Sequence, residues 1–452
     1  MNPTANKRFI PLNIIDRSYV ISQEKNGSIY FPMCVLAVVR LKNEVSSELV
    51  VSALQALERR YPQLRLSYTL DAKRKRWSLV AKDRLPAYLS ALVNTAEGEL
   101  EAYMGSILRE NNSTIEQPLS VHLVDSALIV KMHHSFGDGS FLRLLTHLLL
   151  LALYDPAQLP DLQMHFNIPI THLLWQTPSQ AFKIAVGCVK SFANYYREYQ
   201  QEMSPAEQEK RDPIVSGSEM RVMLCVVPAE SIELLNTLRT TLAVEMQEKI
   251  SLNTLLQVLI AWRLRELQWV TSPLTYTILV DLHRYLKQPN DVYPGNLASQ
   301  IRISRHQQSD LAQECAELQR QVNTRLAGFG PLFALPSEAL LALNHSWYEN
   351  INRDWLLNST DARFFILSNL GNLDDTLGKF RAWIKEDVFL LAPLMGRPPL
   401  VISFNTLAGQ GNLALTYDPR VLSAEQVQEV CGFYQPEWLA EKLAQYTERV
   451  QG

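Results

Sequence analysis

One segment limits the fold more than any other. Ala127 to His134 is an apolar run of strand length, and Phe141 to Leu153 is the most apolar run in the chain. Between them lies only Ser135-Phe136-Gly137-Asp138-Gly139-Ser140. A strand that passes through a short glycine-containing turn into a buried helix needs cover on both elements, which implies layers of sheet and helix. The helix, expected over about Ser140 to Tyr154, carries Arg143 and His147 and stops at Asp155-Pro156. It is too short and too polar to span a bilayer.

The rest of the chain repeats this alternation. Tyr30 to Leu41 reads as a strand, and a helix follows from about Ser46, with Leu49, Val50, Ala53, Leu54 and Leu57 at helical spacing until Tyr61-Pro62 ends it. Leu64 to Leu70 and Arg76 to Ala81 read as a hairpin, and Val121 to Val124 pairs with the strand after Asp125-Ser126. Beyond a polar stretch from about Lys190 to Pro213, strands are expected at Met220–Val227, Tyr276–Asp281, Leu297–Ile303, Phe364–Ser368, Leu400–Leu407 and Asn412–Tyr417. Helices are expected from about Ala229, over Ser251–Leu267, and over Ser309–Leu326. A last helix starts at a capping-box pattern, Ser423 with Gln426, and Pro436 should break or restart it. With 452 residues, two units are expected: an N-terminal half over 1–185, a polar connection over 186–215, and a C-terminal half over 216–452. The fold class is α/β (α+β).

Composition excludes several functions. Forty-three basic residues face 46 acidic ones, so there is no electrostatic footprint for nucleic acid. Cys34, Cys188, Cys225, Cys315 and Cys431 are scattered and odd in number, which argues against a disulfide framework or a cysteine zinc site. They read as reduced thiols of a cytoplasmic protein, and no apolar stretch of signal-peptide length follows Met1. No G-x-S-x-G elbow occurs, and Gly371 to Lys379 has six residues between its glycines where a phosphate loop needs four. His165 and His172 lack acidic or cysteine company, and Trp175, Trp262, Trp347 and Trp383 read as packing residues. No metal site is expected.

The chemistry points to His133-His134. Adjacent strand residues face opposite sides, so one imidazole packs into the scaffold while the other is displayed. A neutral imidazole is a base at physiological pH. Gly137 and Gly139 permit backbone conformations that other residues resist.

His133-His134-Ser135-Phe136-Gly137-Asp138-Gly139 resembles the H-H-x-x-x-D-G motif of an acyltransferase superfamily. That superfamily includes chloramphenicol acetyltransferase, the condensation domains of peptide synthetases, polyketide-associated acyltransferases, alcohol O-acyltransferases and wax ester synthases. Weaker similarities keep the same order: Arg60-Tyr61-Pro62-Gln63-Leu64-Arg65, Val280-Asp281-Leu282-His283-Arg284, Pro294-Gly295-Asn296, Ser368-Asn369-Leu370-Gly371 and Thr416-Tyr417-Asp418. The D-F-G-W-G motif of the plant branch is absent.

The resemblance implies two similar halves in a V with a central tunnel. It implies acyl transfer from a coenzyme A or acyl-carrier-protein thioester to a small-molecule alcohol or amine, with no permanently bound cofactor. His134 is then the general base and His133 structural. Asp138 pairs with an arginine that falls at either His283 or Arg284, and Arg284 is preferred because it restores the pairing. Gly139 gives close backbone approach, and Asn369 either contacts the oxyanion or acceptor or forms a strand-end turn. Ester formation is the first expectation. Amide formation between carrier-bound substrates, and non-catalytic carrier or lipid binding, are the alternatives.

Overall fold

The computed structural model describes residues 9–12, 16, 20, 34–71, 74, 76–109, 117–165, 186, 219–270, 274–285, 292–305, 310–327, 331, 365–394 and 398–451. Its first part holds β1 (Phe9–Pro11), β2 (Cys34–Leu41), α1 (Ser47–Arg60), β3 (Tyr68–Asp71), β4 (Arg76–Leu79), α2 (Leu85–Ala91), β5 (Val93–Ala96), α3 (Leu100–Arg109), β6 (Leu119–Val124), β7 (Ala127–His133) and α4 (Gly139–Tyr154). Its second part holds β8 (Arg221–Val227), α5 (Ala229–Glu245), α6 (Leu252–Glu266), β9 (Leu274–Asp281), β10 (Ala298–Arg305), α7 (Leu311–Ala327), β11 (Phe365–Asn372), β12 (Ile384–Leu391), β13 (Leu400–Leu407), β14 (Gln410–Tyr417), α8 (Ala424–Val430) and α9 (Pro436–Gln451). Most of the connection expected at 186–215 lies outside the described residues, as do Cys188, His172, Trp175 and Trp347.

The strands form three sheets, ordered β1-β4-β3, β12-β2-β7-β6-β5 and β10-β9-β11-β13-β14-β8. The two larger sheets are mixed: β5 runs parallel to β6, and β11 runs parallel to both β9 and β13. Sheet membership does not follow chain order. β12 comes late in the sequence yet pairs with β2, Val388 opposite Val39 and Leu391 opposite Leu36.

Local chemistry accounts for the elements beside the motif. The Ser46 side chain accepts from Leu49 N–H and starts α1, whose buried stripe is Val50, Ala53, Leu54 and Leu57. Leu49, expected on that stripe, is 45% exposed, because it precedes Val50 by one 100° step. The strand expected from Leu64 begins only at Tyr68, because Pro62–Leu64 forms a 3₁₀ turn and Arg65 takes a left-handed φ of 63°. The capping box at Ser423 is present, and Pro436 opens α9 at its first position, where a missing N–H costs nothing. β5, β12, α2 and α3 carry no clear pattern and were not anticipated; β12 begins Ile-Lys-Glu-Asp, an unpromising start for a buried strand.

A buried ionic cluster fixes β9, whose end approaches the histidine loop. Glu314, with no exposed surface, accepts from Arg265 at 2.9 and 3.0 Å, from Trp262 Nε1 at 2.8 Å and from the Tyr276 hydroxyl. These bonds tie α6, α7 and β9 together. Glu314→Ala strands Arg265 in a protein interior, so urea unfolding should show a loss of about 3–5 kcal/mol.

Candidate active site

His133 ends β7 and its successor opens a turn closed by Phe136 N–H donating to the His133 carbonyl at 2.8 Å. The His133 side chain is fully buried. Ser135 N–H donates to its Nδ1 at 3.1 Å, and the Ser135 hydroxyl lies 2.6 Å from the same nitrogen. Burial first, and then repulsion by His134 and Lys131, depress its pKa to about 3. His133 is a neutral scaffold residue. Its neighbour His134 is half-buried, and burial depresses its pKa to about 4.

Two buried groups hold the loop from opposite sides. Below it, Arg65 donates to the Phe136 carbonyl at 2.6 Å, with its guanidinium 4.9 Å from the Trp77 ring and 5.1 Å from the Phe136 ring. On the other side Asp138, 3% exposed, caps α4: one oxygen accepts from Phe141 N–H at 2.9 Å. The other accepts from Leu297 N–H at 2.8 Å, just before β10. One carboxylate thus bridges the motif and the sheet of the second part. Two further bonds run alongside it, Ser140 to Asp281 at 2.7 Å and Asn296 Nδ2 to His134 Nδ1 at 2.8 Å.

The expected pairing of Asp138 with Arg284 is not what the geometry gives. Residues Leu282–Tyr285 form a 3₁₀ turn, in which successive side chains diverge by about 120°. His283 is the residue that faces Asp138, which feels its charge. Arg284 points elsewhere, over the Tyr285 ring at 5.8 Å, and lines a cavity of about 380 Å³ with Ser251, Asn253 and Asp281. His283 Nδ1 lies 2.6 Å from Asp281 Oδ1. Burial alone would lower the His283 pKa, but the bond and charge of Asp281 outweigh it and raise the value. For Asp138 the balance is reversed: burial, followed by repulsion from Asp281, raises its pKa. Asp138, Asp281 and His283 bring ligand-type atoms within 4.8 Å of one another, and hydrogen bonds already engage both Asp138 oxygens and both Asp281 oxygens.

The glycines act through space rather than through φ. Neither Gly137 nor Gly139 takes a positive φ. A Cβ on Gly137 would sit 2.1 Å from Phe141 Cδ1, and one on Gly139 would sit 2.8 Å from Leu370 Cδ2. The neighbour of Gly139 is thus the tip of a β11 side chain. Asn369 lies at an irregularity of β11, where its Oδ1 accepts from Gly371 N–H at 2.9 Å, which is the turn role. His165, expected to be a packing residue, stacks on Tyr293 at 4.6 Å.

Sequence reasoning assigned no role to Arg65, Asp281 or Asn296. Each stood inside a quoted segment, Arg60–Arg65, Val280–Arg284 and Pro294–Asn296, but the spacing of those segments carries no direct link to the histidines. Only the fold brings them within hydrogen-bond reach of the motif, at Phe136, Ser140 and His134 respectively.

No protein-family model matches the chain, and no curated protein matches it in sequence. Its fold, in contrast, is well represented among solved structures. The trichothecene 15-O-acetyltransferase of Fusarium sporotrichioides superposes with a TM-score of 0.69 at 14% identity, covering 96% of both chains. Polyketide synthase associated protein 5 from Mycobacterium tuberculosis gives 0.56 at 13% identity, over 96% of this chain and 98% of that one. The starter condensation domain of rhizomide synthetase, solved with C8-CoA and Leu-SNAC, gives 0.56 at 10% identity, over 97% and 95%. The chain has the chloramphenicol acetyltransferase-like fold of condensation and acyltransferase enzymes.

The depressed pKa values of His133 and His134 make stability pH-dependent. Unfolding restores values near 6.5, so the unfolded chain binds more protons as pH falls below that point. This contribution is complete above pH 6.5 and is lost progressively toward pH 4 and below. The melting temperature should therefore fall between pH 7 and pH 4, and by less in His133→Gln if that variant folds.

Proposed function

We propose that the protein transfers an acyl group from a coenzyme A or carrier-protein thioester to a small-molecule alcohol, with His134 as general base. The observation that carries this reading is the presentation of His134: a half-buried, neutral imidazole at the seam between the two parts, on a loop held by Arg65 and Asp138. The fold it shares with an O-acetyltransferase and with a condensation domain solved with C8-CoA supports the reaction class and the type of donor.

In the reaction, His134 takes the hydroxyl proton as the acceptor oxygen attacks the thioester carbonyl. A C–O bond forms, the tetrahedral intermediate collapses, the C–S bond breaks, and the departing thiolate receives the proton from the imidazolium. Thiols have a pKa near about 8.5, which makes the leaving group a good one without covalent catalysis. The two parts would bind donor and acceptor in the expected tunnel, and the His283–Asp281 pair would stand where a family arginine supports Asp138. A cytoplasmic setting suits the reduced cysteines and both thioester donors. Among the described residues no helix is long and apolar enough to cross a membrane.

Release of free thiol from a panel of coenzyme A thioesters, in the presence of alcohols and amines, tests the proposal. His134→Ala should lower kcat by about 10²–10⁴-fold; unchanged turnover would sink the base assignment. Amide products, or reaction only with loaded carrier proteins, would favour the condensation-type reading. Because burial depresses the His134 pKa, the base form is lost only as pH falls through about 4. The acid limb of kcat/KM should therefore lie well below the 6.5 of an ordinary histidine.

A further inference from the structure

We propose that His283 is a positioning residue whose protonation fixes the histidine loop: the charged ring holds the Asp138 and Asp281 carboxylates together across the seam, and loss of its proton leaves them to repel each other. The inference rests on the reading of His134 as the base and deepens it, because Asp138 sets the place of that ring.

The three groups form one cluster. A ring nitrogen of His283 and one carboxylate oxygen each from Asp138 and Asp281 all lie within 4.8 Å of one another. Asp138 accepts from Phe141 N–H in α4 at 2.9 Å and from Leu297 N–H beside β10 at 2.8 Å, so both its oxygens are used as a carboxylate uses them. Asp281 Oδ2 accepts from the Ser140 hydroxyl, in the first turn of α4, at 2.7 Å. Burial alone would raise the Asp281 pKa, but the bond and charge of His283 and the bond from Ser140 outweigh it and lower the value. For Asp138, burial first and then the charge of Asp281 raise the pKa, which is the mark of two carboxylates that repel.

Among the described residues, His283 is the basic group that faces both. Arg284, next along the 3₁₀ turn, lies over the Tyr285 ring, and Arg143, further along α4, acts on His147. The neighbours from α4 and β10, Ser140 and Leu297, carry no charge.

The two ring nitrogens of His283 have different fates. Nδ1 lies 2.6 Å from Asp281 Oδ1, and a carboxylate only accepts, so Nδ1 carries a proton in both charge states. The proton that titrates is the one on Nε2. The His283 and Asp281 side chains are 29% and 46% exposed, so solvent can take it. The bond to Asp281 survives, and only the positive charge is lost.

The direction of the pH effect follows. Burial alone would lower the His283 pKa, but the bond and charge of Asp281 and the charge of Asp138 raise it. Unfolding returns it to near about 6.5. The support is therefore complete below that pH and is lost as pH rises through the folded value. His134 gains its base form in the opposite sense, as pH rises through about 4. One histidine sets the acid limb of activity and another, which touches no substrate, sets the alkaline limb.

Proton NMR of the full chain, with the His283 ring signal assigned by its absence in His283→Gln, reads the titration. The wild-type midpoint should lie above 6.5, and it should fall in Asp281→Asn and in high salt, which screens a part-exposed pair. In the thiol-release assay, wild-type kcat/KM should drop by about two- to fivefold as pH rises through that midpoint, the size expected of a part-exposed ion pair. His283→Arg, which cannot lose its charge, should hold its activity there, and His283→Gln should show the lower value already at neutral pH. A wild-type midpoint at or below 6.5, no alkaline drop, or a drop that His283→Arg retains would overturn the proposal. Unchanged turnover in His134→Ala would remove the base reading instead. The loop's response is then read from the His134 ring signal, which should move at the His283 midpoint in the wild type and stay still in His283→Arg.

Discussion

The site depends on one buried carboxylate. Asp138 accepts a backbone N–H from Phe141, on the helix of its own motif, and another from Leu297, at the sheet of the second part. A helix start needs an acceptor for its orphan N–H groups, and this one is shared with a segment 159 residues away. The same oxygen atoms that end the loop therefore also set its distance from β9 and β10. His134 inherits its position from that arrangement, and Asn296, the residue immediately before Leu297, arrives with it.

Electrostatics then follow from enclosure. Two adjacent histidines cannot both be charged in a low-dielectric pocket, and burial keeps both neutral. The only way to tolerate Asp138 there is to supply donors, and the backbone supplies two. A nearby His283 adds a ring whose pKa the bond and charge of Asp281 raise against the effect of burial. An arginine in that place would be permanently charged; a histidine makes the support titratable.

Much of this was legible in the sequence, for definite reasons. The motif between β7 and α4 has strong apolar flanks, so strand, loop and helix could be read from periodicity. Ser46 and the Ser423–Gln426 pair announced their helices through capping chemistry. What could not be read was any relation across sequence distance: β12 joining β2, Arg65 under Phe136, Asn296 against His134. The choice between His283 and Arg284 also failed on a local detail, because a 3₁₀ turn rotates neighbours apart and charge type alone does not reveal which one faces inward. Gly137 was read as a residue of special backbone conformation, but its φ is not positive, and Phe141 fills the space a side chain would need.

The late arrival of β12 has a consequence for synthesis on the ribosome. β2 ends at Leu41, while its partner on one edge begins at Ile384. At about 5–20 residues per second, the ribosome needs tens of seconds to make the intervening chain. Throughout that interval the Cys34–Leu41 strand, apolar except for Arg40, has one unpaired edge. The nascent protein must keep that edge from its own neighbours on the polysome, and the sheet that holds β2 is completed only when more than six-sevenths of the 452 residues have been translated.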